Sequence, residues 1–293
     1  MINEDATIPE DAVLKVIEGV EFSGRVNVED TILLDNVRSA IRRPYPQIKP
    51  QGLNFERAAL VGGGPSLKTT EHELVDLLKE RAALITVNGS YHWCLEHNLI
   101  PKTQMVMDAR PSNARFVKPY VPHCRYVIAS QCAPEVWNAV EGYPDVWIFH
   151  CVNEAEGAFK ELLDQHYLGN WYGVGGGITV ITRAMSLLRA IGCVRFDLFG
   201  VDCCFLDGQH HAYAQEENEK DRAFPFKVYP TGHPELEQRF LCAPWHAKQF
   251  ECFLQMIRVN GHHFQINVHG NGLLASALAM SADLQIATEK GET

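Results

Sequence analysis

Gly62, Gly63 and Gly64 follow directly on the apolar run Ala58–Val61 and lead into Pro65 and Ser66. Glycine lets a backbone come close to an anionic group, and successive amide N–H groups in such a turn can hold a phosphate. Two nucleotide motifs come near this sequence, and both break at the same residue. A P-loop needs glycine where Leu67 precedes Lys68 and Thr69, and a dinucleotide fingerprint needs its third glycine at that position. A tight strand-to-helix turn with no ligand is the competing reading.

Further polar residues stand where strands end. ITVNGS places Asn88 at the end of the next apolar run, where a dinucleotide enzyme carries an acid for the ribose. An amide can both donate and accept, so Asn88 can read a sugar hydroxyl, a base edge or a phosphate oxygen, or simply form a turn. QMVMDARPSN ends in Asp108 with Arg110 close by. In open α/β sheets ligands bind outside the carboxyl ends of strands, so Gly62–Ser66, Asn88 and Asp108 are expected to share a crevice. A second glycine turn, Gly175, Gly176 and Gly177, precedes Thr179 and a helical pattern whose N-terminus can face an anion. Close helix–strand packing explains the same glycines. FDLFGVDCCFLDGQHHAY then brings Asp202 just past a strand end, with His210 and His211 in the loop beyond. A histidine in a polar loop beside a pocket is a general base near neutral pH, or is merely solvated.

These residues need a scaffold, and the hydrophobic pattern supplies one. Short branched-apolar runs at Ala58–Val61, Leu84–Val87, Met105–Met107, Tyr126–Ile128, Val146–Phe149, Phe196–Phe199 and Phe264–Val268 alternate with helical patterns or loops. That is the signature of an α/β, Rossmann-like, open and mostly parallel sheet with helices on both faces. Thr70 and Glu73 read as a capping box for a helix over 71–82. Ile178, Ile181, Met185 and Leu188 share a helical face ending before Gly192, and Trp245–Val259 ends at Asn260 and Gly261. Residues 1–50 close on the proline-rich RRPYPQIKP and read as an N-terminal arm or strap, leaving 51–293 as the catalytic domain. QEENEKDR, 215–222, reads as a solvated face or part of a lid.

Composition narrows the function classes. The 293 residues are 46% hydrophobic and 21% charged, which excludes disordered and fibrous proteins. A net charge of −10 leaves no global basic field for nucleic acid or an anionic membrane. No run reaches the roughly 18 apolar residues of a membrane span and MINEDATIPEDA is no signal peptide, so a cytoplasmic protein is expected. Nine cysteines without a CxxC pair point to reduced thiols. No metal site is expected either, since His210/His211 and His262/His263 are adjacent residues whose side chains generally point apart. Trp137, Trp147, Trp171 and Trp245 are core or partner surface, and a homo-oligomer is compatible with all of this.

Taken together, GGGPSL, the strand-end Asn88, Asp108 after IPKTQMVMD, GGGITVITRAMSLLRAIG, LFGVDCCFLDGQHHA and NVHGNGLLASAL resemble one domain. It is shared by motility accessory factors, which are flagellin glycosyltransferases, and archaeal 6-hydroxymethylpterin diphosphokinases (MptE-like). Bacterial sialyltransferases that use CMP-sugars are more distantly similar. The likeness spans residues 55 to about 275 and implies a nucleotide-dependent transferase. GVDCCFLDGQHHA resembles the accessory factors' GxDLAFxxDGxxHA, which aligns His211 with their His, and the likeness to sialyltransferases, where a His is the general base, implies that role for His211, with His210 as the fallback. The diphosphokinases' DLDGD-like acidic cluster is here only MDARPSN.

Three readings follow. In the first, a glycosyltransferase-like enzyme binds a nucleotide-activated sugar, such as a CMP-nonulosonate, through Gly62, Gly63, Gly64, Pro65, Ser66, Gly175, Gly176, Gly177 and Thr179. Asn88, Asp108, Arg110 and His210 position it, His211 takes the acceptor's proton, and no cofactor is required. The acceptor is unknown. In the second, Asp108 and Asp202 bind magnesium for pyrophosphoryl transfer from ATP to a hydroxymethylpterin. In the third, the fold binds a nucleotide without turnover.

Overall fold

Each of the seven apolar runs overlaps a strand in the structure, a computed structural model that describes residues 14–16, 28–50, 57–152, 157–215, 221–230, 233–260 and 265–280. After β1 (Leu14–Val16) come β2 (Arg57–Val61), β3 (Ala83–Val87), β4 (Thr103–Val106), β5 (Arg125–Ala129), β6 (Val146–Cys151) and β7 (Gly173–Val174). The series continues with β8 (Arg195–Phe199), β9 (Phe224–Pro230), β10 (Gln238–Cys242) and β11 (Gln265–Val268). Eight strands form one sheet in the order β11-β8-β2-β3-β4-β5-β6-β7, parallel from β2 through β7 and surrounded by helices. This is an α/β Rossmann-like fold. Its central strands are buried throughout, as in Ala58–Val61 and Ala83–Val87, which is why they read as continuous apolar runs without alternation.

The helices are α1 (Asp30–Ile41), α2 (Leu67–Lys79), α3 (Ser90–Glu96), α4 (Pro134–Ala139), α5 (Gly157–Tyr167), α6 (Val180–Ala190) and α7 (Pro244–Asn260), with a further helix at 273–280. The helix expected over 71–82 starts four residues earlier, at Leu67. Thr70 is not its cap. The Thr70 hydroxyl donates back to the Ser66 carbonyl at 2.9 Å, four residues behind, inside a turn already formed. The helix therefore begins directly after the glycine turn. Ile178 is also displaced from its expected place. It is 53% exposed and precedes the N-cap Thr179, while Ile181, Met185 and Leu188 are buried as the spacing predicts.

The chain folds into two compact units. One takes Met1–Gly24, Gly63–Glu73 and Leu198–Thr293, and the other Arg25–Gly62 and Leu74–Asp197. In the second unit α1 buries Leu33, Val37, Ala40 and Ile41. The strap after it pairs with β6, Ile48 donating to the Ile148 carbonyl at 2.8 Å and Ile148 to that of Pro46 at 2.9 Å. In the first unit β1, β9 and β10 form an antiparallel sheet that the apolar runs did not announce. Prolines at 225 and 230 lie within β9 and obscure its alternation, although Phe226 and Val228 are buried. Of the segment 215–222, residues 216–220 lie outside the described residues.

Candidate functional site

In the first unit, the residues leaving β2 and β8 come together. The strand order reverses between these two strands, the kind of switch point at which open α/β sheets bind ligands. The Gly64 N–H donates to the Gly200 carbonyl at 2.7 Å, and the Ser66 N–H donates to Asp202 Oδ2 at 2.9 Å. Two of the amides expected to be open to a phosphate are thus already engaged. Leu67, the residue that breaks both nucleotide motifs, is fully buried. Its side chain packs against Gly200, where an added Cβ would stand 2.6 Å from Leu67 Cγ.

Asp202 sits in a cradle of glycines. A Cβ on Gly64 would overlap Asp202 Oδ2, and one on Gly272 would stand 2.7 Å from Oδ1. Gly270, at φ +110, lies against Ser66. Burial raises the carboxyl above its usual range, and the amide and hydroxyl of Ser66 pull it part of the way back. Asp202 thereby ties the start of α2 to the loop after β8.

His211 and Tyr213 lie on Gly63. A Cβ there would stand 2.6 Å from both His211 Cδ2 and Tyr213 Oη, and 3.2 Å from His211 Nε2. Ala212 N–H donates to the Gly63 carbonyl at 2.9 Å and anchors this loop. Before it, Asp207 and Gly208 take positive φ, and Leu206 and Gln209 pair across the turn at 2.9 and 3.1 Å. The two histidines do not point apart as adjacent residues generally do: the tight turn brings His210 Nδ1 and His211 Nδ1 to 2.6 Å.

Sequence reasoning missed the wall behind them. The Trp245 ring centroid is 5.8 Å from that of His211 and 3.7 Å from that of His246. His246 is buried, its Nδ1 accepts the Ala243 N–H at 3.1 Å, and burial together with the neighbouring imidazoles lowers it to about 3. It is therefore a neutral imidazole carrying its proton on Nε2. Tyr213, Trp245 and His246 carry no local motif. Gly270 and Gly272 stand in the segment NVHGNGLLASAL, which repeats the strand–glycine–helix pattern of Gly62–Gly64.

The second unit holds Gly62, Asn88, Asp108, Arg110, Gly175–Gly177 and Thr179. Asn88 ends β3 at φ +45, its carbonyl accepts from Gln104 Nε2 at 3.0 Å, and its Oδ1 is buried with no hydrogen-bond partner. Both Asp108 oxygens accept from Arg110, at 2.5–3.0 Å. Gly176 is explained by packing, since a Cβ would meet Ser186 Oγ and the Thr182 carbonyl, whereas Gly175 faces open space. The buried Arg183 holds this turn through the carbonyls of Gly177 at 2.8 Å, Val152 at 2.8 Å and Val174. Thr179 caps α6, accepting from the Thr182 N–H at 3.5 Å. Burial pushes the thiols of Cys124, Cys193 and Cys204 up to about 12, far from thiolate nucleophiles.

The family model described as 6-hydroxymethylpterin diphosphokinase MptE-like matches residues 32–236. The chain belongs to the MptE-like family. The match includes every sequence-predicted site residue and Tyr213, and stops before Trp245, His246, Gly270 and Gly272. Among solved structures, the MptE-like chain is similar in fold to the MAf glycosyltransferase of Magnetospirillum magneticum AMB-1. The TM-score is 0.56 and the identity 13%, over 86% of this chain and 42% of the other. The chain thus spans less than half the length of that glycosyltransferase. No curated protein matches in sequence.

The family's name implies metal-dependent pyrophosphoryl transfer, and the residues present do not fit a resident magnesium. Asp108 has both oxygens on Arg110, and Asp202 is enclosed by glycines and bonded to Ser66. Among the described residues, no three His, Cys, Asp or Glu side chains are grouped to hold a metal ion. Nor is any helix among them long and apolar enough to cross a membrane.

Proposed function

We propose that this MptE-like protein is a cytoplasmic transferase that takes its donor as a nucleotide-activated sugar, with a CMP-nonulosonate as the leading candidate. The observation that carries the reading is the seating of His211 and Tyr213 on Gly63, at the mouth of the first glycine turn. In the proposed reaction an acceptor hydroxyl gives its proton to His211 Nε2 as its oxygen bonds to the anomeric carbon. The bond from that carbon to the phosphate oxygen breaks, and the nucleotide leaves with the electron pair. In this proposal the Tyr213 hydroxyl, which lies on Gly63, donates to the leaving phosphate, a stabilisation that needs no metal. Asp202 acts here by fixing the turn through Ser66, and His210 by its bond to His211. The similarity in fold to a glycosyltransferase is consistent with this reading.

A thermal-shift panel of CMP, CDP, UDP, GDP, AMP and ATP, each with magnesium and with EDTA, tests the proposal. A ligand that binds only the native state adds about 2.7 kcal/mol at one hundred times its Kd. Stabilisation by CMP or another sugar-donor nucleotide in EDTA is the expected result. Stabilisation by ATP alone, and only with magnesium, would replace the proposal with pyrophosphoryl transfer, and silence across the panel would leave a module without nucleotide chemistry.

A further inference from the structure

Two imidazole nitrogens at 2.6 Å cannot both present lone pairs, and cannot both present protons. One proton must lie between His210 Nδ1 and His211 Nδ1. A neutral imidazole carries a single N–H, so the direction of this bond decides which ring offers an outward lone pair. If His210 donates, His211 keeps its own proton on Nε2 and presents a donor to Gly63. If His211 donates, its lone pair is on Nε2, the nitrogen 3.2 Å from the place of a Gly63 Cβ. The third imidazole of the cluster does not compete for the His211 Nδ1 proton through its own Nδ1, because His246 Nδ1 already accepts the Ala243 N–H.

We propose that His210 is a positioning residue for His211: its Nδ1 accepts the His211 Nδ1–H and so holds the proton-accepting lone pair of His211 on Nε2, the nitrogen on the ring edge beside Gly63. When His211 takes a proton at Nε2, the bond to His210 stays as it is and its acceptor faces a full imidazolium, which strengthens it. No ring flip or proton exchange is needed between resting and protonated states. The backbone turn at Asp207 and Gly208, which presents the two rings to each other, is the structural device that supplies the acceptor. In many hydrolases a carboxylate has this place beside the base. Here an imidazole nitrogen has it, and it adds no negative charge next to a departing phosphate.

The proton arrangement is tested without any substrate, and the consequence for turnover rests on the function proposed above. In the full chain labelled with 15N-histidine, long-range proton–nitrogen NMR spectra distinguish protonated from bare ring nitrogens, with the His211 peaks assigned by their loss in His211→Gln. A bare Nε2 and a protonated Nδ1 on neutral His211 are expected; a protonated Nε2 would overturn the proposal. His210→Asn, whose side chain offers an acceptor near the former Nδ1, should keep this pattern. His210→Phe should release His211 into a mixture of tautomers, and an unchanged His211 in that variant would equally overturn it. Where turnover is found, His210→Phe should lower kcat by about 10- to 100-fold with KM little changed, the scale on which partners that orient a histidine act. His210→Asn should recover much of that loss. Absence of turnover with every donor would sink the transferase reading and leave the spectra to decide the dyad.

Discussion

Adding one methyl group at each of two adjacent glycines should produce opposite defects. In Gly64→Ala the new Cβ would overlap Asp202 Oδ2 and stand 2.8 Å from the Gly200 carbonyl oxygen and 2.9 Å from its carbon. Neither partner can rotate away: one is backbone, and the other is a buried carboxyl with Gly272 closed over it. The relief must come from the backbone, which stretches the 2.7 Å Gly64–Gly200 bond or the 2.9 Å Ser66–Asp202 bond. Overpacking costs about 1–3 kcal/mol and a weakened buried hydrogen bond about 0.5–1.5 kcal/mol more. We expect a loss of about 3 kcal/mol in total. In Gly63→Ala the atoms nearest the Cβ belong to the His211 ring edge and the Tyr213 hydroxyl, which are side-chain and not backbone atoms. Stability should fall by less than about 1 kcal/mol, the range of substitutions that force no buried backbone to move, while the two rings lose their seat. Urea unfolding followed by tryptophan fluorescence and by circular dichroism reads the first effect, and turnover of the folded variants reads the second. Equal midpoints for Gly64→Ala and the native chain, or a larger stability loss at Gly63 than at Gly64, would refute this account of the turn.

Arg57 pairs through Nε and Nη2 with Asp197, which is buried at 1% exposure, at 2.7 and 3.2 Å. Arg57→Ala removes two charge-assisted hydrogen bonds from that carboxylate and should cost about 1.5–3 kcal/mol in urea unfolding, and a loss under about 0.5 kcal/mol would show that the pair is dispensable. His150 is fully buried, both its ring nitrogens are without partners, and burial followed by the charge of His166 lowers it from 6.5 to about 4. The unfolded chain therefore binds more protons between those values, so stability falls as pH drops from 6.5 toward about 4, by about 3 kcal/mol across the window. His150→Phe should remove that slope, and parallel pH profiles for the variant and the native chain would contradict the burial argument. Asp202 has the opposite sign. Its folded pKa is raised above 3.8, so its stabilising contribution is complete below 3.8 and is lost as pH rises through the folded value. Asp202→Asn keeps an acceptor for the Ser66 N–H and does not titrate. Relative to this variant, the native chain should lose stability as pH rises from about 3.8, and a relative gain would show the carboxylate to be net favourable in its cradle.

The sheet was legible because its central strands are buried on both faces and so appear as unbroken runs, Ala58–Val61 and Leu84–Val87 among them. The place of Asp202 and His211 follows from the same pattern, since both come after the end of β8, where the structure sets Asp202 on Ser66 and His211 on Gly63. What failed was local chemistry overruled by distant partners. Thr70 and Glu73 have the spacing of a capping box, yet Asp202, 136 residues from Ser66 in sequence, supplies the acceptor at the head of α2. His210 and His211 are turned toward each other by the Asp207–Gly208 turn, against the tendency of neighbours to diverge. The close approach of Gly176 to Ser186 and Thr182 is a contact that only the fold reveals. Tyr213, Trp245 and His246 carry no motif, and each matters only through what the fold sets beside it.

The most direct test of the central claim uses water as the acceptor, so that the natural acceptor need not be known. Release of CMP from a CMP-nonulosonate is followed in EDTA for the native chain and for His211→Ala, with CMP affinity measured on the same preparations. The account predicts metal-free release by the native chain, a loss of about 10²- to 10⁴-fold in His211→Ala, and CMP affinity within a few-fold of native in both. Undiminished release by His211→Ala, or release that appears only when magnesium is restored, would contradict it.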